Sequence, residues 1–164
     1  MDFKKFLPWI VAAVLVIGIY SWVKGINNTA VGYEQTINES WGNVNTSYQR
    51  RNDLIDNLVS TVKGSADFEK STLEAVTNAR ARATSINIDP TNVTPEQLAQ
   101  FQQAKSQEMG ALSRLLVSVE RYPDLKTTQA FLELQSQIEG TENRINVERD
   151  RFNDAANIYD KKIK

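Results

Sequence analysis

The feature that most constrains this chain is a charge-free run near its start. Phe6 to Val23 (FLPWIVAAVLVIGIYSWV) is 18 residues without Asp, Glu, Lys or Arg. At about 1.5 Å per residue a helix over this run is roughly 27 Å long, close to the thickness of a hydrocarbon core. Lys4 and Lys5 precede it and Lys24 follows. Trp9, Tyr20 and Trp22 stand near its two ends, where amphipathic rings settle at a membrane–water interface. Pro8 falls in the first turn, where a missing N–H costs little. A cleaved signal peptide has a shorter apolar region that ends in small residues. This run ends in Tyr20-Ser21-Trp22-Val23-Lys24. The expectation is an uncleaved single-pass anchor in membrane lipid over residues 1–24, with a separate domain over residues 25–164. Lys4, Lys5 and the α-amino group outweigh Lys24, and the next basic residue is Arg50. The positive-inside rule then puts the N-terminus in the cytoplasm and the large domain outside it.

Composition removes several functional classes. Histidine and cysteine are both absent. That excludes a disulfide framework, a thiol nucleophile, a Cys/His zinc site and a histidine general base. Without Lys4, Lys5, Lys24 and Asp2, the 19 basic and 20 acidic residues leave the large domain slightly negative. Lys63, Lys70, Arg80 and Arg82 are too dispersed to make a nucleic-acid footprint, so no nucleic-acid partner is expected. No phosphate loop, dinucleotide fingerprint or calcium loop occurs, and no cofactor is expected.

The rest of the chain has helical periodicity. Ile37, Trp41, Val44, Tyr48, Arg51, Ile55, Leu58 and Val62 alternate steps of four and three, a heptad seam with one charged member. Gly64 is placed to end this helix as a C-cap or to kink it. A second helix is expected from Ser65 to Ser85, with Phe68, Leu73, Val76, Ala79 and Ala83 inward. Asp89-Pro90 breaks the pattern. Thr94-Pro95-Glu96-Gln97 restarts it, with Thr94 as N-cap, Pro95 in the first helical position and Gln97 completing a capping box. The third helix is expected to run to Arg121, with Leu98, Phe101, Met109, Leu112, Leu116 and Val119 inward. Tyr122-Pro123-Asp124 is the next break. A last helix from Thr127 to the end carries Phe131, Leu134, Ile138, Glu142, Ile145, Arg149, Phe152, Ala156, Tyr159 and Ile163. Gly140 lies inside that stripe and is not a cap, because the stripe continues past it. The fold class predicted is all-α: one N-terminal transmembrane helix followed by an elongated antiparallel four-helix bundle.

Several segments then resemble a known family. Gln49 to Val59 (QRRNDLIDNLV) resembles the "RR-DLI-NLV" signature of the LemA family. Thr61–Gly64 (TVKG), Phe68–Ala81 (FEKSTLEAVTNARA), Glu120–Gln135 (ERYPDLKTTQAFLELQ), Glu139–Ile145 (EGTENRI) and Arg151–Ile163 (RFNDAANIYDKKI) match in order and spacing. The resemblance implies a bacterial inner-membrane protein with an N-terminal membrane helix and an elongated four-helix domain. It implies no established catalytic residues. Family members commonly continue past the last helix with a short tail after a Phe-Pro step, which is not part of this sequence.

The strongest polar constellation is Arg50, Arg51 and Asp53 on the first helix with Glu139, Glu142, Arg144 and Arg149 on the last. Arg51, Glu142 and Arg149 fall on the inward stripes, and a buried arginine must be paired. The economical reading is a structural network that fixes helix register. A hydrolase using bundle carboxylates is the contrasting reading, and it needs two carboxylates at a set distance in an open pocket. A carboxylate–histidine metal site is excluded by the missing histidine. No catalytic residue and no metal ligand is assigned.

A stripe of small residues is the remaining signal. Gly18, Ser21, Gly25, Asn28 and Gly32 follow 3-4-3-4 spacing across the end of the apolar run. Small residues let helix backbones approach closely in lipid. The expectation is a homo-oligomer seam, with ring or tubular assembly if heterologous contacts close. The function expected is a non-enzymatic membrane scaffold. An adaptor that recruits an unidentified protein through exposed helix faces is the other non-enzymatic reading.

Overall fold

The heptad seam is part of one uninterrupted helix. The computed structural model describes the backbone of residues 3–64 and 68–163, and the side chains of Trp9 and of residues 13–64 and 68–162. Five helices follow in order: α1 (Phe3–Lys63), α2 (Lys70–Ser85), α3 (Pro95–Val119), α4 (Pro123–Lys126) and α5 (Gln129–Ile163). Among the described residues there is no strand. At about 1.5 Å per residue α1 is roughly 92 Å long and α5 roughly 52 Å.

α1 and α5 form a long antiparallel pair, and α2 and α3 form a short hairpin laid against the C-terminal half of α1. The direction of α5 is fixed by its partners. Glu142 meets Arg51, Phe152 meets Trp41, and Tyr159 meets Glu34, so α5 descends as α1 ascends. Asp56 pairs with Arg80 and Asn52 with Thr84, which makes α2 antiparallel to α1. The all-α architecture is therefore as the sequence predicts, with a one-turn helix added.

The core has two parts. The distal part collects Leu54, Ile55, Leu58 and Val62 of α1, Leu73 and Val76 of α2, Leu112, Leu115 and Val119 of α3, and Phe131 and Ile138 of α5. The proximal part is aromatic: Trp41, Tyr48 and Phe101, with Val44, Ile88 and Ile145. Arg51 lies between the two.

Several boundaries differ from the sequence reading. Gly64 does end α1, its N–H reaching Ser60 O at 3.3 Å, but without a left-handed turn. No glycine among the described residues has positive φ, so the C-cap role expected of Gly64 is not realised. α2 begins at Lys70 instead of Ser65, because Glu69 is extended. Phe68 is buried ahead of the helix, and residues 65–67 lie outside the described set. The capping box at Thr94 and Gln97 forms as expected, in both directions. Pro123 does more than break the chain: it occupies the first turn of α4, where its fixed φ suits a helix start.

Two inward stripes also shift. On α3, Leu98, Met109 and Leu116 are only half-buried, while Ala104, Glu108, Ala111, Leu115 and Ser118 face inward. On α5 the stripe after Ile138 steps three then four, through Thr141, Ile145, Glu148 and Phe152 to Ala155. Arg149 and Ala156 are therefore not the inward positions: Arg149 is exposed and Ala156 half-buried. A one-residue change of register turns a side chain by about 100° on a helix of 3.6 residues per turn. Ile163, the last member expected of that stripe, lies outside the described side chains.

The N-terminal half of α1 is bare. Every described side chain from Ala13 to Thr29 is exposed, including Leu15, Ile17, Ile19, Tyr20, Trp22 and Ile26, and Trp9 is 75% exposed. Burial on α1 first becomes complete at Ile37, which is 2% exposed. Among the described residues no helix is long and apolar enough to cross a membrane. Of the Phe6–Val23 run, the side chains of residues 6–8 and 10–12 lie outside that set.

Candidate functional site

The constellation predicted from sequence comes together only in part. Arg51, 1% exposed, carries the centre. Its Nη2 donates to Glu108 Oε2 at 2.6 Å and its Nη1 to Glu142 Oε2 at 2.9 Å. Glu108 enters from α3 and is fully buried; Glu142 enters from α5 and is about one-third exposed. Lys105, one turn before Glu108, brings Nζ to Glu108 Oε2 at 3.4 Å. With its amide nitrogen turned toward Glu108, Asn52 donates to Oε1 at 2.7 Å and accepts from Thr84 at 3.3 Å. Both oxygens of Glu108 are thus engaged, as a buried carboxylate requires.

Arg50, Asp53, Glu139, Arg144 and Arg149 are exposed and do not join this network. The reason is angular. Arg50 and Asp53 flank the seam position of Arg51, about 100° to 200° away around the helix. Glu139 accepts a hydrogen bond from Gln135 at 3.2 Å on the outer face of α5. In place of Arg149 the structure buries Glu148, which receives Arg151 at 3.0 Å.

Glu108 and Lys105 were missed by the sequence reading. A signal existed: Phe101, Ala104, Ala111, Leu115 and Ser118 keep a 3-4 rhythm in which position 108 is inward. A charged residue at that position reads as solvent-facing unless a partner is known, and the partner is 57 residues away in sequence.

The network floors a cavity of about 430 Å³ between α1, α3 and α5. Trp41, Phe101 and Phe152 wall it, with ring centroids 5.6 Å apart for Trp41–Phe101 and 5.0 Å for Trp41–Phe152. Tyr48 meets Phe101 edge-on at 5.6 Å and carries two cations on its ring: Lys105 Nζ at 4.5 Å and the Arg51 guanidinium at 5.1 Å. Arg149 stands at the rim. Burial raises the Tyr48 pKa above 10.0, against the pull of Arg149 and Arg51. Burial lowers the Lys105 pKa below 10.5; Arg51 and Arg80 add to that, and Glu108 opposes it. Among the described residues no cluster of three or more acidic side chains is placed to hold a metal ion.

The stripe of Gly18, Ser21, Gly25, Asn28 and Gly32 lies wholly on the exposed half of α1. A Cβ built at Gly18, Gly25 or Gly32 meets nothing within 4 Å. No contact among the described residues requires glycine there. Trp9, Tyr20 and Trp22 are equally open, and Lys24 Nζ lies 6.0 Å from the Tyr20 ring centroid.

Comparison with known proteins covers both regions. The model of the LemA family matches residues 40–164, which takes in the whole polar network and the cavity. Protein LemA of Metamycoplasma hominis is 27% identical over 161 residues, 98% of this chain and 69% of that protein.

Proposed function

The chain belongs to the LemA family, and from that premise we propose that it is a non-enzymatic scaffold, anchored in a bacterial inner membrane by the start of α1. The observation that carries the reading is the bare half of that helix. Val14, Leu15, Val16, Ile17, Ile19 and Trp22 are each at least 60% exposed on consecutive turns. Contiguous apolar surface of this extent needs lipid or protein around it. Residues before Ala13 extend the same charge-free run back to Phe6. The N-terminus is then cytoplasmic, and the bundle projects from the opposite face. Because α1 has no break, the anchor and the bundle move as one rod. Self-association along the glycine-bearing face, into a ring or tube, uses surface that nothing in the chain itself occupies.

The other readings have less support. Outside α1 the exposed large apolar side chains among the described residues are Val117 of α3 and Leu132, Val147 and Ile158 of α5, the last three spread singly along that helix. A hydrolase working by carboxylates needs two of them at a set distance in an open pocket, and the cavity is lined by one, Glu142, whose Oε2 is held by Arg51.

The test is membrane retention and native mass of the full chain. After an alkaline carbonate wash the protein stays with the membrane, and Ile17→Lys with Ile19→Lys releases it. Gentle extraction yields a large closed assembly, and Gly18→Leu with Gly25→Leu shrinks it. Release of the unmodified chain by carbonate overturns the anchor. A monomer or dimer overturns the scaffold.

A further inference from the structure

We infer that the cavity between α1, α3 and α5 is a binding site for a small organic carboxylate with an aromatic or branched apolar body. This goes beyond the scaffold reading and stands without it. Its volume, about 430 Å³, is in the range of small-molecule sites. The walls are the apolar faces of Trp41, Phe101 and Phe152, which suit a flat or branched hydrocarbon body.

The charge balance of the lining points to the other half of the ligand. Arg51, Lys105 and Arg149 face the cavity against a single lining carboxylate, Glu142. Glu142 Oε2 is already committed to Arg51 at 2.9 Å. Arg149 has no carboxylate partner on the lining, and Lys105 shares the buried Glu108 with Arg51. An ammonium has three donors. Lys105 uses one, at 3.4 Å, on a Glu108 oxygen that Arg51 holds more tightly at 2.6 Å. Two aromatic rings also face it, Tyr48 at 4.5 Å and Phe101 at 5.7 Å. Burial disfavours its charge, so an anion beside it recovers a cation that the fold itself undersupplies. The unmet hydrogen-bonding groups among the lining side chains, Trp41 Nε1 and Arg51 Nε, are both donors. The buried lining atoms without a partner are thus donors only, and they stand beside apolar area, with the acceptors Gln102, Ser106 and Asn153 elsewhere on the lining. A carboxylate oxygen at Lys105 and Arg149, with its hydrocarbon body against the three rings, supplies what is missing.

The test uses the full chain in phospholipid nanodiscs, labelled with 5-fluorotryptophan and read by fluorine NMR. The chain has 3 tryptophans, and Trp41→Phe identifies the reporter signal. Phenylacetate is the probe. It shifts the Trp41 signal saturably, with a Kd of about 1 mM or below. Phenylacetamide, the same shape without the charge, binds at least about tenfold more weakly. Lys105→Met weakens phenylacetate at least about tenfold. Arg149→Gln, at an exposed rim position that carries no folding load, weakens it about threefold or more. Equal binding of the amide, full affinity in both variants, or no saturable shift up to about 10 mM each overturns the assignment.

Discussion

The two halves of α1 share one backbone and one helical period, yet they solve the problem of apolar surface in opposite ways. From Ile37 to Val62 the apolar residues form a stripe, polar residues take the other face, and α2, α3 and α5 cover the stripe. From Ala13 to Val23 apolar residues run around the whole circumference, and nothing among the described residues covers them. A stripe fits neighbours that lie on one side, as in a bundle. An all-round apolar helix fits a solvent that is apolar on all sides. The comparison teaches that the pattern around a helix, more than its mean hydropathy, states what kind of partner it needs.

Two pairs of substitutions test that contrast directly, and two further changes lie outside α1. The largest effect is expected at the charged member of the buried stripe. Arg51→Met leaves Glu108 buried without its main partner and destabilises the bundle by about 3–5 kcal/mol in urea unfolding. The same change at Lys24, on the bare half, moves it by less than about 0.5 kcal/mol. Equal losses at both sites would erase the distinction. Adding Glu108→Leu and Lys105→Met to Arg51→Met restores much of the loss, since no orphaned buried charge then remains.

Next come apolar truncations. Leu58→Ala, at a fully buried position, costs about 2–5 kcal/mol. Ile17→Ala, at a 64% exposed position, leaves bundle stability unchanged within about 0.5 kcal/mol. A large loss at Ile17 would mean that the bare half packs on the bundle in solution. A smaller change, of opposite sign, is expected at Gly140. It sits within α5 with nothing within 4 Å of a built Cβ, so Gly140→Ala stabilises by about 0.5–1 kcal/mol. Melting temperature reads this directly.

The smallest effect belongs to neither half and serves as a control. Thr91 donates to Asp89 Oδ1 through its N–H at 3.0 Å and its hydroxyl at 2.7 Å. These bonds, the hydroxyl first, hold the Asp89 pKa below 3.8. The native state then binds this proton less readily than the unfolded chain. Its contribution is complete above the unfolded value and is lost as pH falls through the lower native one. The gap in urea midpoint between the unmodified chain and Asp89→Ala is constant near neutrality and closes below about pH 3.8. A gap that widens with acid would contradict the turn.

Local chemistry explains which elements were legible in advance. The heptad seam of α1 was, because each step of three or four repeats the same face. The Thr94 box was, because its two hydrogen bonds join residues three apart. Proline at 95 marked a helix start for the same local reason. At Gly64 the signal and the outcome part: the helix stops there, but the left-handed cap that glycine permits is not used. Register on α5 was not legible past Ile138. Glu142 and Arg149 keep a 4-3 rhythm, Thr141 and Glu148 a 3-4 rhythm, and the sequence between Ile138 and Phe152 satisfies both.

Local spacing alone specifies the helical class, the loop at residues 86–94, and the division of α1 into an all-round apolar end and a striped end. All of these depend on spacing within a few residues. It also singled out Arg51 as a buried charge in need of a partner. It placed Glu142 in the same network, but the contact between distant helices is what brings in Glu108 as the closer partner and lines a cavity beside them with Lys105 and three aromatic rings. A charge on a helix can face water or a counter-ion equally well, and its own neighbours do not say which. The choice is made where helices distant in sequence meet, because there the cost of an unpaired buried charge outweighs every local preference.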